Sequence, residues 1–383
     1  MKRTVPVLFA CVSLLVATVA LGQDTPLTAS FAASPPTVDG DAGDAVWSAT
    51  DSLELSNGVT MKAVYTAEDL YLLAEWPDST LSMTRSGSWT LVDGAWDTSA
   101  NVIGGGGEDR LAILWNINVT GFDTQGCMAK CHGDGAYFDN VGERADMWHM
   151  KAARSLGVIG GSQSGTLTID GTHQVTGGSV TLDGYTDDKV VAAKDDPDFP
   201  AGDDVGRHGD SFGGGASSYA RNRNADKTGP SHIETAPDDF IDAMILRQSE
   251  IDAGEAVEVA GLDAATLDAY WAAYVALSAV VPERILRVPE GSRGDVRQSA
   301  TWSDGVWVAE YHRKLVNGNG DDVQFEDLAD SYLFGTALMD NVGGDQHDSR
   351  SRLNEMVFSP IASVSARGKL ATSWAALRTG AAR

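Results

Sequence analysis

The sequence predicts a mainly β protein, an antiparallel β-sandwich with a long loop-rich insert and one or two helices. Short apolar runs separated by turn residues predict strands on both sides of a long middle segment. That middle segment, about residues 160 to 255, is rich in Gly, Asp and Ser and has little apolar periodicity, so we expect long loops there. A chain of 383 residues can form one large domain or two modest ones.

The amino-terminal segment has the pattern of a secretory signal peptide. Met1-Lys2-Arg3 is basic, residues 5 to 20 are nearly all apolar, and Ala20-Leu21-Gly22 offers small residues to a signal peptidase. We therefore expect residues 1 to 22 to be removed and the mature chain to be exported, to the periplasm or a similar compartment, as a soluble protein. No later segment approaches the roughly 20 apolar residues that a membrane span requires.

The first part of the predicted sandwich covers residues 23 to 159. Residues 59 to 65 and 70 to 76 flank a short polar turn, which predicts a β-hairpin. Residues 110 to 117 are apolar enough for a buried strand. These strands supply one half of the expected core.

The predicted insert covers residues 160 to 290 and includes the clearest helix, residues 264 to 280. The apolar residues that recur there at helical spacing are Leu267, Tyr270, Trp271, Tyr274 and Leu277. We expect these aromatic side chains to pack against the sheet and not to form a cofactor site.

The second part of the predicted sandwich covers residues 291 to 366, and a tail follows at 367 to 383. Residues 295 to 302 and 306 to 311 flank an Asp-Gly turn, which is a strong hairpin signal. Residues 332 to 339 form another strand-like run. Strands on both sides of the insert favour the antiparallel sandwich.

The charge of the chain limits its partners. Its formal net charge is −26 at pH 7. Such acidity argues against nucleic acid and against an anionic membrane surface as partners. It keeps the protein soluble and can steer a basic partner, although a merely solvated acidic surface accounts for the composition equally well.

The strongest functional signal is the segment CMAKCH at residues 127 to 132. Two cysteines followed at once by a histidine are typical of covalent haem attachment, in which the thiols form thioethers and the imidazole ligates the iron. Three residues separate the cysteines instead of the usual two, which makes the motif less specific. The segment predicts one haem c attached to Cys127 and Cys131, with His132 as an axial ligand.

Two further fates of the cysteine pair stay open, a disulfide and a metal site. An oxidising compartment favours a disulfide between Cys127 and Cys131, since Cys11 lies in the signal segment. A structural zinc site is less favoured, because no second Cys/His pair follows at suitable spacing. The Asp-rich residues 195 to 204 match no recognised calcium loop.

Several further segments carry a family resemblance. They are Val38-Asp39-Gly40, Ala45-Val46-Trp47, Asp69 to Leu72, Glu108 to Trp115, Ala145 to Ala152, Gly294-Asp295-Val296, Trp302, Trp307, Asp322 to Phe325, and Tyr332 with Asp340-Asn341. The first three are similar to the opening of the family-9 carbohydrate-binding-module sandwich. The others, with the cysteine motif, resemble the haem-binding domain of ethylbenzene dehydrogenase-related proteins, a group that includes cytochrome subunits of dimethylsulfoxide-reductase-type respiratory enzymes.

The resemblance implies a β-sandwich that holds one haem between loops and passes single electrons. In the dehydrogenase subunits the haem is b-type, and its ligands are a methionine before the Trp-rich segment and a lysine after the last strand. Here His132 occupies roughly the loop of that methionine, and His347 falls roughly where the lysine lies. We therefore expect His347 to be the sixth ligand of a six-coordinate, low-spin iron.

Competing sixth ligands are His149, Met147 and Met339. Trp148 is a candidate wall of the haem pocket, although packing in the core accounts for it equally well. The primary hypothesis is an electron-transfer protein without catalysis of its own, which serves as a carrier or as the haem subunit of a respiratory oxidoreductase, with such a subunit or another cytochrome as redox partner. A haem-free carbohydrate-binding or surface-interaction module with a disulfide, and a haem enzyme or sensor with an open sixth position, are the alternatives.

Overall fold

The computed structural model describes residues 25–85, 88–98, 107–129, 138–198, 217–342 and 347–360. Its strands are β1 (Leu27–Phe31), β2 (Leu53–Glu54), β3 (Thr60–Tyr65), β4 (Asp69–Pro77), β5 (Trp89–Val92), β6 (Ala95–Thr98), β7 (Glu108–Asn116), β8 (Ala145–Lys151), β9 (Gly160–Ile169), β10 (Val175–Tyr185), β11 (Asp187–Val191), β12 (Tyr219–Arg221), β13 (His232–Glu234), β14 (Leu246–Arg247), β15 (Ala256–Glu258), β16 (Arg284–Leu286), β17 (Arg297–Ser303), β18 (Val306–Lys314), β19 (Ser331–Val342) and β20 (Ser349–Phe358). Its helices are α1 (Ala45–Ser48), α2 (Phe122–Gln125), α3 (Phe240–Met244), α4 (Gln248–Ala253) and α5 (Ala264–Ala276), with short 3-10 turns at Gly126–Ala129 and Gly291–Gly294.

A single large sheet of 13 strands organises the described chain. The strand order is β11-β8-β7-β19-β20-β1-β3-β4-β18-β17-β10-β9, and β2 pairs with β3. All these pairs are antiparallel except those of β1, which runs parallel to both β20 and β3. Small sheets, β12-β16-β14, β13-β15 and β5-β6, lie beside it. The prediction of a mainly β fold is confirmed.

The large sheet curls, so that its two halves face each other across one core. The indole Nε1 of Trp307 on β18 lies 3.4 Å from a carboxylate oxygen of Asp109 on β7. Likewise Arg313 of β18 contacts Asp146 of β8 at 3.0 Å. The main apolar cluster combines buried side chains of both halves, including Trp115 and Trp307. Burial between the two halves of the sheet supplies most of the apolar stabilisation.

The predicted hairpins form at the expected places. β3 and β4 pair with Tyr65 opposite Leu70, and β17 and β18 pair with Ser303 opposite Val306. Asp304 and Gly305 between the latter strands both have positive φ, 44° and 93°. Two consecutive left-handed residues match the right-handed twist of the strands, and this match is the reason for the strength of the Asp-Gly signal.

Residues 160 to 191 differ from the loops expected there. They form β9, β10 and β11, and β10 pairs with β17 over seven residues. Most of β9 is exposed on both faces. A strand without a buried face needs no alternation of apolar and polar residues, so its Gly, Ser and Thr resembled a loop.

The predicted helix forms as α5 but is shorter than expected. Asp263 caps its first turn by accepting a hydrogen bond from the Thr266 amide at 2.9 Å. The helix ends before Ser278, whose φ is 60°. Its Tyr274 is buried and the other predicted aromatics pack on the main core. Within the described ranges, no helix combines the length and apolarity needed to cross a membrane.

Candidate functional site

The beginning of the cysteine motif is fixed on the sheet by a glycine. Gly126 has a φ of 60° and lies so close to the carbonyl oxygen of Arg352 that a side chain there would overlap it. Only glycine combines this backbone angle with this approach. The 3-10 turn Gly126–Ala129 therefore docks directly on β20.

Cys127 lies against β19. A Cβ added at Gly335 would meet the Cβ of Cys127 at 3.0 Å and its Sγ at 3.1 Å. Around it, Cys127 packs with apolar side chains of a second, smaller cluster, which includes Leu114, Leu333 and Leu353. The first cysteine of the motif thus has a defined, half-buried seat, whereas Cys131 and His132 lie outside the described residues.

The seat of Cys127 belongs to a face of the sheet that points away from the main core. Cys127 lies on one surface of β11, β8, β7, β19 and β20, and we call this surface the outer face. On β8, Ala145 and Met147 pack in the cluster of Cys127, while Trp148 and Met150 pack in the main core. Because side chains alternate along a strand, His149 also lies on the outer face.

The register of the strands brings His149 near Cys127. Ala112 lies opposite His149, and Ala337 lies opposite Ala112, so these three residues form one row across β8, β7 and β19. The next row consists of Met147, Leu114 and Gly335. Cys127 packs on the Gly335 end of that row. With strands about 4.8 Å apart, His149 and Gly335 are separated by roughly 12 Å.

Small residues line this part of the outer face. Gly335, Ala112 and Ala337 stand where larger side chains would project from the sheet. Ala112 and Ala337 also form an apolar cluster with Met339 and Val342. Together these residues form a small, buried apolar floor between the thiol of Cys127 and the imidazole of His149.

His149 is 2% exposed, and a buried group of charges adjoins it. Asp187 lies opposite His149 on β11. Its carboxylate contacts the ammonium groups of Lys151 and Lys189, the latter at 2.6 Å, and the guanidinium of Arg293 at 2.5 Å. This cluster fixes the edge of the outer face beside the imidazole, and its charges partly compensate one another.

A second buried ion group stands at the start of β7. The Glu108 carboxylate contacts Arg154 Nε at 2.5 Å and accepts a hydrogen bond from the Ala153 amide at 2.9 Å. Burial alone would raise the pKa of Glu108, but Arg154 and Arg85 outweigh it and hold that pKa at about 2. The carboxylate is therefore ionised at neutral pH.

His347 lies in the connection between β19 and β20. It is half-buried, and the neighbouring Asp348 amide donates a hydrogen bond to the Leu338 carbonyl at 3.0 Å. Three residues further on, Arg350 Nη1 lies 3.2 Å from the Sδ of Met128. The structure therefore brings His347 to the same two strands as the cysteine turn, near their connection.

The remaining predicted residues fall on both faces of the sheet. Met147 and Met339 are buried on the outer face, 6% and 3% exposed. Trp148, the candidate pocket wall, lies on the opposite face of β8 from His149, where it packs 5.4 Å from Trp115 and donates to Asp146 Oδ2 at 3.0 Å. The described contacts of Trp148 are those of a core residue.

The small residues of the floor and the charges around Asp187 were not predicted from the sequence. The alternation in Ala145–Lys151 was the available signal, because it separates Met147, His149 and Lys151 from Trp148 by face. The floor has no signal in the sequence, since Ala112, Ala337 and Gly335 come together only through the pairing of distant strands.

Comparison with known families decides the relationship of the chain. The family model described as ethylbenzene dehydrogenase matches residues 36–351. The chain belongs to the ethylbenzene dehydrogenase family. The predicted resemblance is thereby confirmed, and it covers the cysteine turn, both ion groups and β19. The ethylbenzene dehydrogenase family is linked to oxidoreductases.

Likenesses outside the family add little to this assignment. Among curated proteins, no sequence matches this chain. One solved structure with a detectable likeness is a family-9 carbohydrate-binding module from Caldicellulosiruptor kristjanssonii in complex with glucose, at 11% identity. The match covers 40% of this chain and 76% of the module, with a TM-score of 0.18. A likeness at that TM-score supports no conclusion about this member of the ethylbenzene dehydrogenase family.

Proposed function

We propose that this chain is an exported electron-transfer protein that carries one covalently attached haem c. Cys127 and Cys131 would form the thioethers, and His132 would be one axial ligand. The bound group supplies one-electron redox chemistry. The chain itself binds and orients the group and shields it from water.

The observation that carries this proposal is the position of Cys127. The first thiol of the motif lies on Gly335, next to an apolar floor of small residues, on the same face as the buried imidazole of His149. A thiol and an imidazole in apolar surroundings are groups that suit a covalently bound haem. Membership of a family linked to oxidoreductases supports the same function.

Burial favours His149 over His347 as the sixth ligand. An imidazole that is 2% exposed and lies in a strand is held in one orientation, and a ligand of that kind keeps the iron six-coordinate. His347, expected from the family resemblance, is half-buried in a connection and is the second candidate. Either histidine would pair with His132 to give a low-spin iron suited to electron transfer.

The redox partner would be a subunit of a respiratory oxidoreductase or another cytochrome. The net charge of −26 favours a partner whose docking surface is basic, because opposite charges accelerate encounter. Export is proposed from the signal-peptide pattern of residues 1 to 22, which lie outside the described part of the chain.

The decisive experiment is a pyridine haemochrome assay on the full chain, co-expressed with haem-attachment machinery in a periplasm. We expect one covalent haem c per chain. Cys131→Ala should abolish the two-thioether spectrum, while Cys11→Ala, a matched change in the signal segment, should leave the attached haem unchanged. Wild-type protein that is exported and folded but carries no haem would contradict the proposal and favour the disulfide-containing module.

A further inference from the structure

Four aspartates converge on the core side of β8 and β11, away from the cysteine turn. Asp146, Asp188 and Asp322 each place a carboxylate oxygen within 4.8 Å of the others, and all three are buried. Asp295 joins them through two amides, since the side chains of Asn317 and Asn319 both donate to the Oδ2 atoms of Asp295 and Asp322.

Among the described residues, Asp188 has no hydrogen-bond donor for its carboxylate. Asp188 is 1% exposed, and neither of its carboxylate oxygens accepts a hydrogen bond from any described residue. Asp146 Oδ1 and Asp295 Oδ1 are also without a donor within the described ranges. Burial of an ionised carboxylate without a donor is strongly unfavourable, so these oxygens need either a proton or a cation as partner.

The charge of the cluster is not balanced by the cation that contacts it. Arg313 Nη1 lies 3.0 Å from Asp146 Oδ2, and within the described ranges no other ion pair involves the four carboxyl groups. Burial and the neighbouring Asp146 and Asp295 raise the pKa of Asp322 to about 8, and burial with Asp146 also raises the pKa of Asp188. The protein alone thus disfavours the ionised form of these groups at neutral pH.

A second acidic cluster, Asp78, Asp109 and Asp340, makes the contrast clear. Its most buried member, Asp109, accepts hydrogen bonds from the amides of Ser82 at 2.8 Å and Asn341 at 3.1 Å. Its carboxylate therefore has protein donors, whereas the carboxylate of Asp188 has none among the described residues.

The donor atoms define the kind of cation that would fit. Carboxylate oxygens are the ligands of hard divalent cations, and Ca²⁺ tolerates the irregular arrangement better than Mg²⁺. A solvent-open pocket of about 520 Å³, lined by Asn319, Gly320 and Asp322, reaches the same loop and provides an entry path.

We propose that Asp146, Asp188, Asp295 and Asp322 bind one Ca²⁺ ion. The ion links β8, β11, the residues just before β17 and the segment after β18, which are separate parts of the sequence. It is a structural site and does not depend on haem. Its effect reaches the outer face nevertheless, because it fixes β8 at Asp146, two positions before Trp148 and three before His149.

The test uses the wild-type full chain and the metal alone. Inductively coupled plasma mass spectrometry after dialysis against Ca²⁺ should find one calcium per chain, and EDTA should remove it. The Tm should be higher in Ca²⁺ than in EDTA, while Mg²⁺ at the same concentration should raise it less. Absence of bound calcium together with an unchanged Tm would overturn the proposal.

Two matched variants locate the ion. Asp188→Asn keeps the volume of the side chain and should abolish both the bound calcium and the Ca²⁺-dependent rise in Tm. Asp78→Asn, in the second acidic cluster, should retain both. Retention of calcium by Asp188→Asn with its loss from Asp78→Asn would overturn the assignment, and should Asp188→Asn not fold, the wild-type measurements decide the proposal.

Discussion

Cys127 and Gly335 are in direct contact, and the contact leaves no space for a side chain at position 335. A Cβ there would approach Cys127 Sγ to 3.1 Å and the carbonyl oxygen of Arg352 to 2.7 Å. The backbone of β20 cannot move away easily, because β20 pairs with both β19 and β1. The cysteine turn and the strand beneath it therefore form one closely packed unit.

Gly335→Ala should consequently displace the turn. We expect a loss of about 1–3 kcal/mol in the free energy of unfolding, as for overpacked sites, and reduced covalent haem per chain. Urea unfolding and the haemochrome assay measure the two effects. Gly160→Ala is the matched control, since a Cβ at Gly160 meets nothing within 4 Å. Equal stability and haem content of the two variants would show that the contact is unimportant.

The identity of the sixth ligand has a spectroscopic signature. His149→Ala should convert a low-spin haem spectrum to high-spin while the haem stays attached, because removal of an axial imidazole leaves the iron five-coordinate. His347→Ala should leave the visible bands unchanged, as should His312→Ala, a control on β18 whose imidazole pairs with Asp69 at 3.1 Å. If His347→Ala gave the high-spin spectrum and His149→Ala left the bands unchanged, the sixth ligand would be His347 in the β19–β20 connection.

Asp187 contacts three buried cations, so its loss should be costly. We expect Asp187→Asn to lower the free energy of unfolding by about 3 kcal/mol or more, because Lys151, Lys189 and Arg293 would lose a charged partner in a buried site. Equilibrium unfolding in urea measures the change. Asp183→Asn on β10 should cost far less, and similar costs for both would argue against a special role of the cluster.

The lowered pKa of Glu108 predicts that the free energy of unfolding depends on pH. Its folded-state pKa of about 2 lies below the ordinary value of 4.5, so the unfolded chain binds a proton more readily. The ionised Glu108 carboxylate therefore stabilises the folded state fully above pH 4.5, and this stabilisation is lost as the pH falls towards 2. The difference in unfolding free energy between wild type and Glu108→Gln should therefore shrink by about 3 kcal/mol over that range.

Urea unfolding at a series of pH values measures this difference. Glu68→Gln, which changes an exposed glutamate, is the control and should differ little from wild type at every pH. A wild-type to Glu108→Gln difference that stays constant between pH 4.5 and pH 2 would show that the arginines do not lower the pKa of Glu108.

Local features of the fold could be predicted from the sequence. The Asp304-Gly305 turn and the alternation around it were sufficient to place β17 and β18, because a two-residue hairpin depends on adjacent residues alone. The order of the sheet could not be predicted in this way. The parallel pairing of β1 with β20 joins residues more than 300 positions apart, and no local pattern records it.

The same distinction between local and distant residues applies to the candidate site. CMAKCH is contiguous, so its chemistry was visible in the sequence, whereas its surroundings depend on strands from three distant parts of the chain. Asp188 shows the limit most clearly, since nothing near it in the sequence indicates that Asp322 and Asp295 lie beside it. Partners that only the folded chain brings together require a structure to be found.

The docking of Gly126 on Arg352 also constrains the order of events during synthesis. The cysteine turn precedes the strands on which it lies, β19 and β20, by more than 200 residues, so it leaves the ribosome long before those strands exist. Pairings of such sequence separation form slowly. Cys127 can therefore reach its place on Gly335 only after β19 and β20 have been synthesised and paired.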